Sequence, residues 1–192
     1  MKNAIILHGS PTREEFYDPN IPNESNCHWL PWLQAQLVKA DVPAATPEVP
    51  RPFEREWSIW TKEFERFDIG PETILVGHST GAGFIIKYLS IHPDLRVNRV
   101  VLVAPWLDPQ REHTKDFFED FEIDLDLVGR TNGIVIFNSD NDEDSVHETV
   151  AMLREKIRTI QYREFHDHGH FCYRDMKTIK FPELLEEVLS EN

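Results

Sequence analysis

The sequence predicts a three-layer α/β/α sandwich built around a mostly parallel β-sheet. Short apolar segments alternate with longer stretches of helical spacing, and this alternation is typical of parallel sheets with helices on both faces. One apolar segment leads through the glycine-containing turn Gly77-His78-Ser79-Thr80-Gly81 directly into a helical stretch. The length of 192 residues favours a single domain, residues 1–192, with enough chain to bury a substantial core.

The first third of the chain opens the alternation. Ala4–Leu7 is apolar and precedes a turn, which suits a first strand better than a signal peptide. Residues 10–26 are polar and predict a loop, and Trp29–Lys39 has helical spacing. Val42–Thr46 is interrupted by proline and predicts a short edge strand. Phe53–Phe67 carries aromatic residues at intervals of three and four, which predicts a helix.

The rest of the chain continues the same pattern around one apolar centre. Thr73–Val76 predicts a buried strand and Thr80–Leu89 the helix that follows it. Val97–Ala104 is the most apolar segment, so we expect it at the middle of the sheet. The remaining predicted elements are the strands Ile134–Phe137 and Ile160–Phe165 and the helices Val146–Ile157 and Phe181–Leu189.

Residues 105–133 do not fit the alternation. They predict either an excursion over the carboxyl edge of the sheet, where ligands bind in such folds, or a crossover helix with an irregular apolar pattern.

Charge and cysteine content restrict the partners and the compartment. The 20 Lys and Arg residues against 34 Asp and Glu residues give a formal charge of −14. Such a field repels phosphate backbones and anionic lipid, so we expect neither nucleic acid nor membrane as a partner. Cys27 and Cys172 form no Cys-x-x-Cys pair and predict free thiols. Because no apolar run has the length of a membrane span, we expect a cytoplasmic protein.

Ser79 is the strongest candidate for a chemical role. A serine on a sharp strand-to-helix turn, with glycine two residues before and two after it, is typical of a nucleophile elbow. Glycine at both places removes side chains that would clash in the turn. The helix that begins after Ser79 directs its first amides at the site where an oxyanion would form.

A serine nucleophile needs a base and an acid later in the chain, in the order Ser, Asp, His. An acidic run follows Ile134–Phe137, and within it we favour Asp142, three residues after Ser139, over Asp140. A histidine-rich loop follows Ile160–Phe165. Within it we favour His170, which lies between Gly169 and Phe171, and His168 is the alternative.

The alternating His166, His168 and His170 could also form a metal site. All three lie in the loop predicted for the catalytic histidine and no cysteine is nearby, so we expect no metal and no cofactor.

The loop after the first strand predicts the remaining groups of the site. Gly9 would let the backbone approach the substrate, and the amides of Ser10 and Thr80 are the predicted oxyanion donors. His8 is a pocket candidate, although a buried structural role is the stronger interpretation. Trp106 follows the central strand and is either a pocket wall or a core residue.

The chain resembles the small serine hydrolases of the retinoblastoma-binding protein nine type, within the α/β-hydrolase superfamily. The resemblance rests on Gly77-His78-Ser79-Thr80-Gly81, on Ser139-Asp140-Asn141-Asp142, on Gly169-His170-Phe171, and on the tryptophan segments Trp29–Trp32 and Glu56–Trp60. It implies an α/β-hydrolase fold with little or no cap, and Ser79, Asp142 and His170 as a catalytic triad.

The expected activity is hydrolysis of small esters, thioesters or amides through an acyl-enzyme, with a small-molecule acyl substrate as the partner. Two alternatives remain open from the sequence: transfer of the acyl group to another acceptor by the same triad, and a binding protein on the same fold without activity.

Overall fold

The structure is a computed structural model that describes residues 1–114 and 116–190. Six strands form its sheet: β1 Asn3–Leu7, β2 Ala44–Ala45, β3 Thr73–His78, β4 Arg99–Val103, β5 Ile134–Ser139 and β6 Gln161–Phe165. They lie in the order β2-β1-β3-β4-β5-β6, and every neighbouring pair is parallel. Every residue of β3, β4 and β5 is buried, which explains their nearly continuous apolar sequence.

Helices connect and flank these strands. The α-helices are α1 Arg13–Tyr17, α2 Leu30–Lys39, α3 Trp57–Phe64, α4 Thr80–Ile91, α5 Asp144–Lys156, α6 Tyr173–Met176 and α7 Pro182–Leu189. Three short 3-10 helices span Glu24–Asn26, Pro52–Glu54 and Leu127–Arg130. Within the described ranges, none of the helices combines the length and the apolar character needed to cross a membrane.

The connections place the helices on both faces of the sheet. The chain moves from β1 outward to β2 through α2, and in the opposite direction from β3 to β4 through α4. Because crossovers between parallel strands are right-handed, α2 and α4 lie on opposite faces. Helix α7 packs against α2, and Trp60 of α3 packs against Phe84 of α4 with ring centroids 5.7 Å apart. The predicted three-layer α/β/α architecture is therefore confirmed, with a fully parallel sheet.

Local sequence signals explain where the observed elements differ from the predicted ones. The predicted loop 10–26 contains α1, whose first turn is capped reciprocally by Thr12 and Glu15. The predicted helix Phe53–Phe67 is divided, since Arg55 has φ 49° between the 3-10 helix and the start of α3. The predicted edge strand Val42–Thr46 pairs over two residues only.

The segment 105–133 is an excursion rather than a crossover helix. Among its described residues, the regular structure is limited to the 3-10 helix Leu127–Arg130. Phe117 from this segment packs against the rings of Trp57 and Trp60. The excursion therefore packs on the part of the core that is formed by α3.

The parallel topology collects the predicted functional segments at one place. The segments that follow β1, β3, β5 and β6 all leave the same carboxyl edge of the sheet. They carry Gly9-Ser10, Ser79, Asp142 and His170, respectively.

Candidate active site

Ser79 lies on a sharp turn between the last residue of β3 and the first residue of α4. Its backbone has φ 55° and ψ −121°, a conformation that residues with side chains rarely adopt. The Ser79 N–H donates to the Val103 carbonyl at 2.9 Å, and the Ser79 carbonyl accepts from the amides of Gly83 and Trp106 at 3.1 and 3.2 Å. Hydrogen bonds from three sides therefore hold this strained turn.

Two glycines make the turn sterically possible. A Cβ at Gly77 would lie 2.6 Å from the Cα of Ala82, and a Cβ at Gly81 would lie 2.4 Å from the carbonyl oxygen of His8. Both distances are too short for a side chain, and the opposing atoms belong to backbone that cannot easily move. The spacing of glycines around Ser79 thus has a direct steric cause.

Asp142 and His170 form a buried pair. The Nδ1 of His170 lies 2.8 Å from the Oδ1 of Asp142, and the Asp142 side chain is completely buried. The same oxygen accepts from the Glu143 amide at 2.7 Å, while the Oδ2 has no partner among the described residues. A carboxylate at Nδ1 fixes the tautomer that leaves Nε2 of His170 free to accept a proton.

The alternative acid takes part in a different interaction. Asp140 is largely exposed and its Oδ2 lies 2.6 Å from the Nδ1 of His166, which is also exposed. The Asp140 Oδ1 accepts from the Asp167 amide at 3.0 Å. Asp140 therefore ties the outer part of the histidine loop to the end of β5 and does not contact His170.

The three alternating histidines do not converge. His166 pairs with Asp140, and the His168 ring packs among Phe165, Phe171 and Phe181. His170 faces Asp142. Within the described ranges, no group of three or more His, Cys, Asp or Glu side chains is arranged to hold a metal ion.

Asn141 and Ser139 hold the loop that carries His170. The Ser139 hydroxyl donates to the Asn141 Oδ1 at 2.8 Å and accepts from the His168 amide at 2.9 Å. The Asn141 Oδ1 also accepts from the Gly169 amide at 2.8 Å. Two side chains at the end of β5 thereby fix the backbone that leads into His170.

His78, the residue before Ser79, also holds the backbone of His170, and the sequence analysis did not predict this role. Its Nε2 lies 2.8 Å from the His170 carbonyl, and its ring lies 5.1 Å from the His170 ring. Burial lowers the pKa of His78 well below its usual value, and the nearby His170 and His28 lower it further. The lowered pKa makes the His78 ring neutral. Because a carbonyl can only accept, the proton of this neutral ring is on Nε2.

His28 completes this histidine cluster at the rim of the site. Its ring meets the His78 ring edge-on at 5.7 Å, and its Nδ1 accepts from the Tyr173 amide at 3.1 Å. Burial, with His170 second, lowers the pKa of His28 to about 4. Near neutral pH the His28 and His78 rings are therefore uncharged.

The loop after β1 lies directly against the Ser79 side chain. A Cβ at Gly9 would lie 3.1 Å from the Cβ of Ser79 and 3.6 Å from its Oγ. The Ser10 hydroxyl donates to the Pro52 carbonyl at 3.0 Å. Thr80 is the first residue of α4, so its amide has no acceptor within that helix. Of the predicted oxyanion donors, Thr80 follows Ser79 directly, and Ser10 follows Gly9 and lines the same cavity as Ser79.

His8 is buried and its two ring nitrogens are both engaged. The Val49 amide donates to Nε2 at 3.0 Å, so the proton lies on Nδ1, which is 2.6 Å from the Gly9 carbonyl. Burial is the main cause that lowers the pKa of His8. The His8 ring bonds Val49 and Gly9 and does not line the cavity.

A cavity of about 800 Å³ opens over this arrangement. Of the residues selected from the sequence, its lining includes Gly9, Ser10, Ser79, Thr80, Trp106 and His170. Asp142 lies behind His170, outside the lining. No hydrogen bond joins Ser79 to His170 within the described chain, and in many enzymes this contact tightens only when substrate is bound.

Arg55 is another cavity residue that the sequence did not indicate. Its guanidinium carbon lies 5.4 Å from the centre of the Trp106 ring, and it lines the same cavity as Ser79. No periodicity or motif marks this arginine. Its position follows from the turn at residue 55 and from the excursion that brings Trp106 to it.

Comparisons with known proteins agree with the fold and with a hydrolase. The protein named as the hydrolase YdeN in Bacillus subtilis (strain 168) is 29% identical over 180 residues, which cover 88% of this chain and 86% of that protein.

Solved structures share the same architecture. The B. subtilis ydeN gene product matches with a TM-score of 0.78 and 20% identity over 97% of this chain and 96% of that one. Est1E from Butyrivibrio proteoclasticus matches with a TM-score of 0.64 and 14% identity, over 97% and 86%. XC6422 from Xanthomonas campestris, described as a serine hydrolase without a lid, matches with a TM-score of 0.56 and 14% identity, over 99% and 84%. These similarities establish the α/β-hydrolase fold.

Residues 19–175, which include Ser79, Asp142 and His170, match the sequence profile of the family described as serine hydrolase. The chain therefore belongs to the serine hydrolase family, and it is a hydrolase.

Proposed function

We propose that the protein hydrolyses small carboxylic esters, with Ser79, His170 and Asp142 acting as a catalytic triad through an acyl-enzyme. The observation that carries this proposal is the 2.8 Å contact between Asp142 and the His170 Nδ1, together with the strained turn of Ser79, which lines the same cavity as His170. Est1E, which shares the fold, has been solved with ferulic acid bound. Thioesters and amides are the related substrates that the same chemistry could use.

In the first step, the His170 Nε2 takes the proton of the Ser79 hydroxyl, and the Ser79 Oγ attacks the ester carbonyl carbon. The amides of Ser10 and Thr80 donate to the oxyanion of the tetrahedral intermediate, and the N-terminal end of α4 adds its positive dipole. The buried Asp142 carboxylate stabilises the His170 imidazolium.

Collapse of the intermediate expels the leaving alcohol, which takes its proton from His170. Water then attacks the acyl-enzyme with His170 again as the base, which releases the acid and restores the Ser79 hydroxyl.

A fluorophosphonate probe tests the nucleophile. We expect the wild-type protein to be labelled at Ser79, and Ser79→Ala to be unlabelled and slower by about 10⁴ to 10⁶ in kcat. A burst of p-nitrophenol from p-nitrophenyl esters would report the acyl-enzyme. If the wild-type protein is neither labelled nor active on esters of any chain length, the proposal is wrong and the fold serves another purpose.

We also propose that the protein acts in the cytoplasm, which the free thiols of Cys27 and Cys172 support.

A further inference from the structure

The cavity that contains Ser79 also holds a cation whose hydrogen-bonding capacity is largely unused. Arg55 is half-buried, and its Nε has no hydrogen-bond partner among the described residues. Its Nη1 lies 3.5 Å from the His113 carbonyl, which is at the long limit for a hydrogen bond. A buried guanidinium N–H without an acceptor is costly, so a ligand that supplies acceptors would bind favourably here.

Arg55 is not neutralised by a direct ion pair with any described residue. Burial lowers the pKa of Arg55, and the negative charge of Asp108 partly offsets this lowering. That carboxylate is already occupied: it accepts from the amides of Glu112, His113 and Thr114 and from the Thr114 hydroxyl, at 2.6 to 3.1 Å. Asp108 therefore shapes the loop beside Arg55 and makes no hydrogen bond to the guanidinium.

Trp106 connects this cation to the nucleophile. The Trp106 amide donates to the Ser79 carbonyl at 3.2 Å, while the Trp106 ring lies under the Arg55 guanidinium. The planar cation is thus held against an aromatic face, one residue away from the turn that carries Ser79. Ser79, Trp106 and Arg55 line the same cavity, so a substrate bound at Ser79 shares that cavity with the guanidinium.

The cavity has other charged groups besides Arg55. Glu15, Glu24 and Glu143 line it together with Arg174, and burial and the charges of Glu48 and Glu15 raise the pKa of Glu24 to about 7. None of these acids is among the groups that influence the pKa of Arg55. Beside Trp106 the cavity therefore has a cation that no acid of the lining neutralises, although the whole protein is strongly acidic.

We propose that Arg55 is a specificity-determining residue that binds a carboxylate carried by the ester substrate. The planar guanidinium presents Nε and an Nη in a fork that matches the two oxygens of a carboxylate. The inference rests on the proposed ester hydrolysis at Ser79 and adds the substrate class: esters with a negatively charged group at a distance from the scissile bond.

The test compares pairs of esters that differ only in charge. For a carboxylate on the acyl side, the pair is the mono-p-nitrophenyl ester of adipic acid and the p-nitrophenyl ester of adipamic acid. For a carboxylate on the leaving group, the pair is 3-acetoxybenzoate and 3-acetoxybenzamide. In at least one pair, we expect wild-type kcat/KM to be higher for the anion.

Arg55→Gln should lower the ratio of anionic to neutral kcat/KM by about tenfold to a hundredfold, as expected for loss of a charge-assisted contact. Arg55→Lys should retain part of the preference. Arg51→Gln is the matched control, because Arg51 flanks the same 3-10 helix with φ 48° but is exposed and paired with Glu54 at 3.0 Å. The ratio of anionic to neutral kcat/KM in Arg51→Gln should equal that of the wild type.

An unchanged ratio in Arg55→Gln, including an equal loss on both esters of a pair, would overturn the carboxylate site while leaving ester hydrolysis intact. No hydrolysis of any ester by the wild type would instead contradict the proposed function. If the Arg55 variants do not fold, inhibition of the wild-type protein tests the carboxylate site. Adipate should inhibit hydrolysis of a neutral ester at least tenfold more strongly than adipamide does. Equal inhibition by the two compounds would overturn the site.

Discussion

The Nε2 of His78 donates to the carbonyl oxygen of His170 at 2.8 Å, so the residue before the proposed nucleophile holds the backbone of the proposed base. His78 is the last residue of β3 and Ser79 follows it directly. One rigid position at the carboxyl edge of the central sheet therefore positions two members of the proposed triad, which come from segments far apart in the sequence. We interpret His78 as a positioning residue.

Replacing His78 with Phe should slow the reaction, because the ring volume remains but the donor to His170 is lost. We expect kcat to fall about tenfold to a hundredfold with little change in KM, since misplacement of a reacting group by about 1 Å can cost about a hundredfold. His78→Gln keeps an N–H donor and should recover much of the rate. Equal losses in the Phe and Gln variants would indicate a general packing role instead.

The pH dependence of stability provides a separate test of His78. Burial holds its pKa well below 6.5 in the folded protein, while the unfolded chain titrates near that value. Below about pH 6.5 the unfolded state therefore binds more protons, and the stability that neutral His78 provides above this pH is lost as the pH falls. The free energy of unfolding of His78→Gln should decline less steeply between about pH 6 and pH 5, by up to about 1.4 kcal/mol per pH unit. Urea titrations at several pH values measure this slope, and parallel curves for the two proteins would contradict the assignment.

Much of the fold is predictable from the sequence because its signals are local. The strands β3, β4 and β5 are short apolar runs, and each is followed by residues with either helical spacing or loop character. The candidate residues Ser79, Asp142 and His170 follow from the order in which a triad occurs after such strands. These inferences need no knowledge of which side chains meet across the sheet.

The remaining features depend on contacts between distant residues. His78 and His170 are 92 residues apart, and no sequence pattern indicates that one ring supports the other backbone. Arg55 and Trp106 come together through a left-handed residue and an irregular excursion, neither of which has a periodic signature. Helix α1 is a different case, since the capping pair Thr12 and Glu15 was available as a local signal.

The two candidate acids can be separated by matched substitutions. Asp142→Asn should lower kcat by about 10³ to 10⁴, because an amide at this position no longer fixes the His170 tautomer or stabilises its imidazolium. Asp140→Asn removes the same charge two residues earlier but affects only the exposed pair with His166 and the hydrogen bond from the Asp167 amide, so its kcat should stay within about threefold of the wild type. The kcat values of the two variants and the wild type on one p-nitrophenyl ester check both expectations. A larger loss in Asp140→Asn than in Asp142→Asn would reverse the assignment.

Gly9 should tolerate no side chain if its backbone must lie against Ser79. An alanine Cβ would lie 3.1 Å from the Ser79 Cβ, so either the loop that carries the Ser10 amide or the Ser79 side chain must move by a few tenths of an ångström. We expect Gly9→Ala to lower kcat about tenfold or more, because both the nucleophile and the oxyanion donor depend on this spacing. Gly70→Ala is the matched control, since a Cβ there meets no atom within 4 Å. Thermal unfolding of both variants separates a local effect from loss of the fold. Gly9→Ala should keep the melting temperature of the wild type and have a lower kcat. A kcat equal to that of Gly70→Ala would show that the loop does not constrain the site.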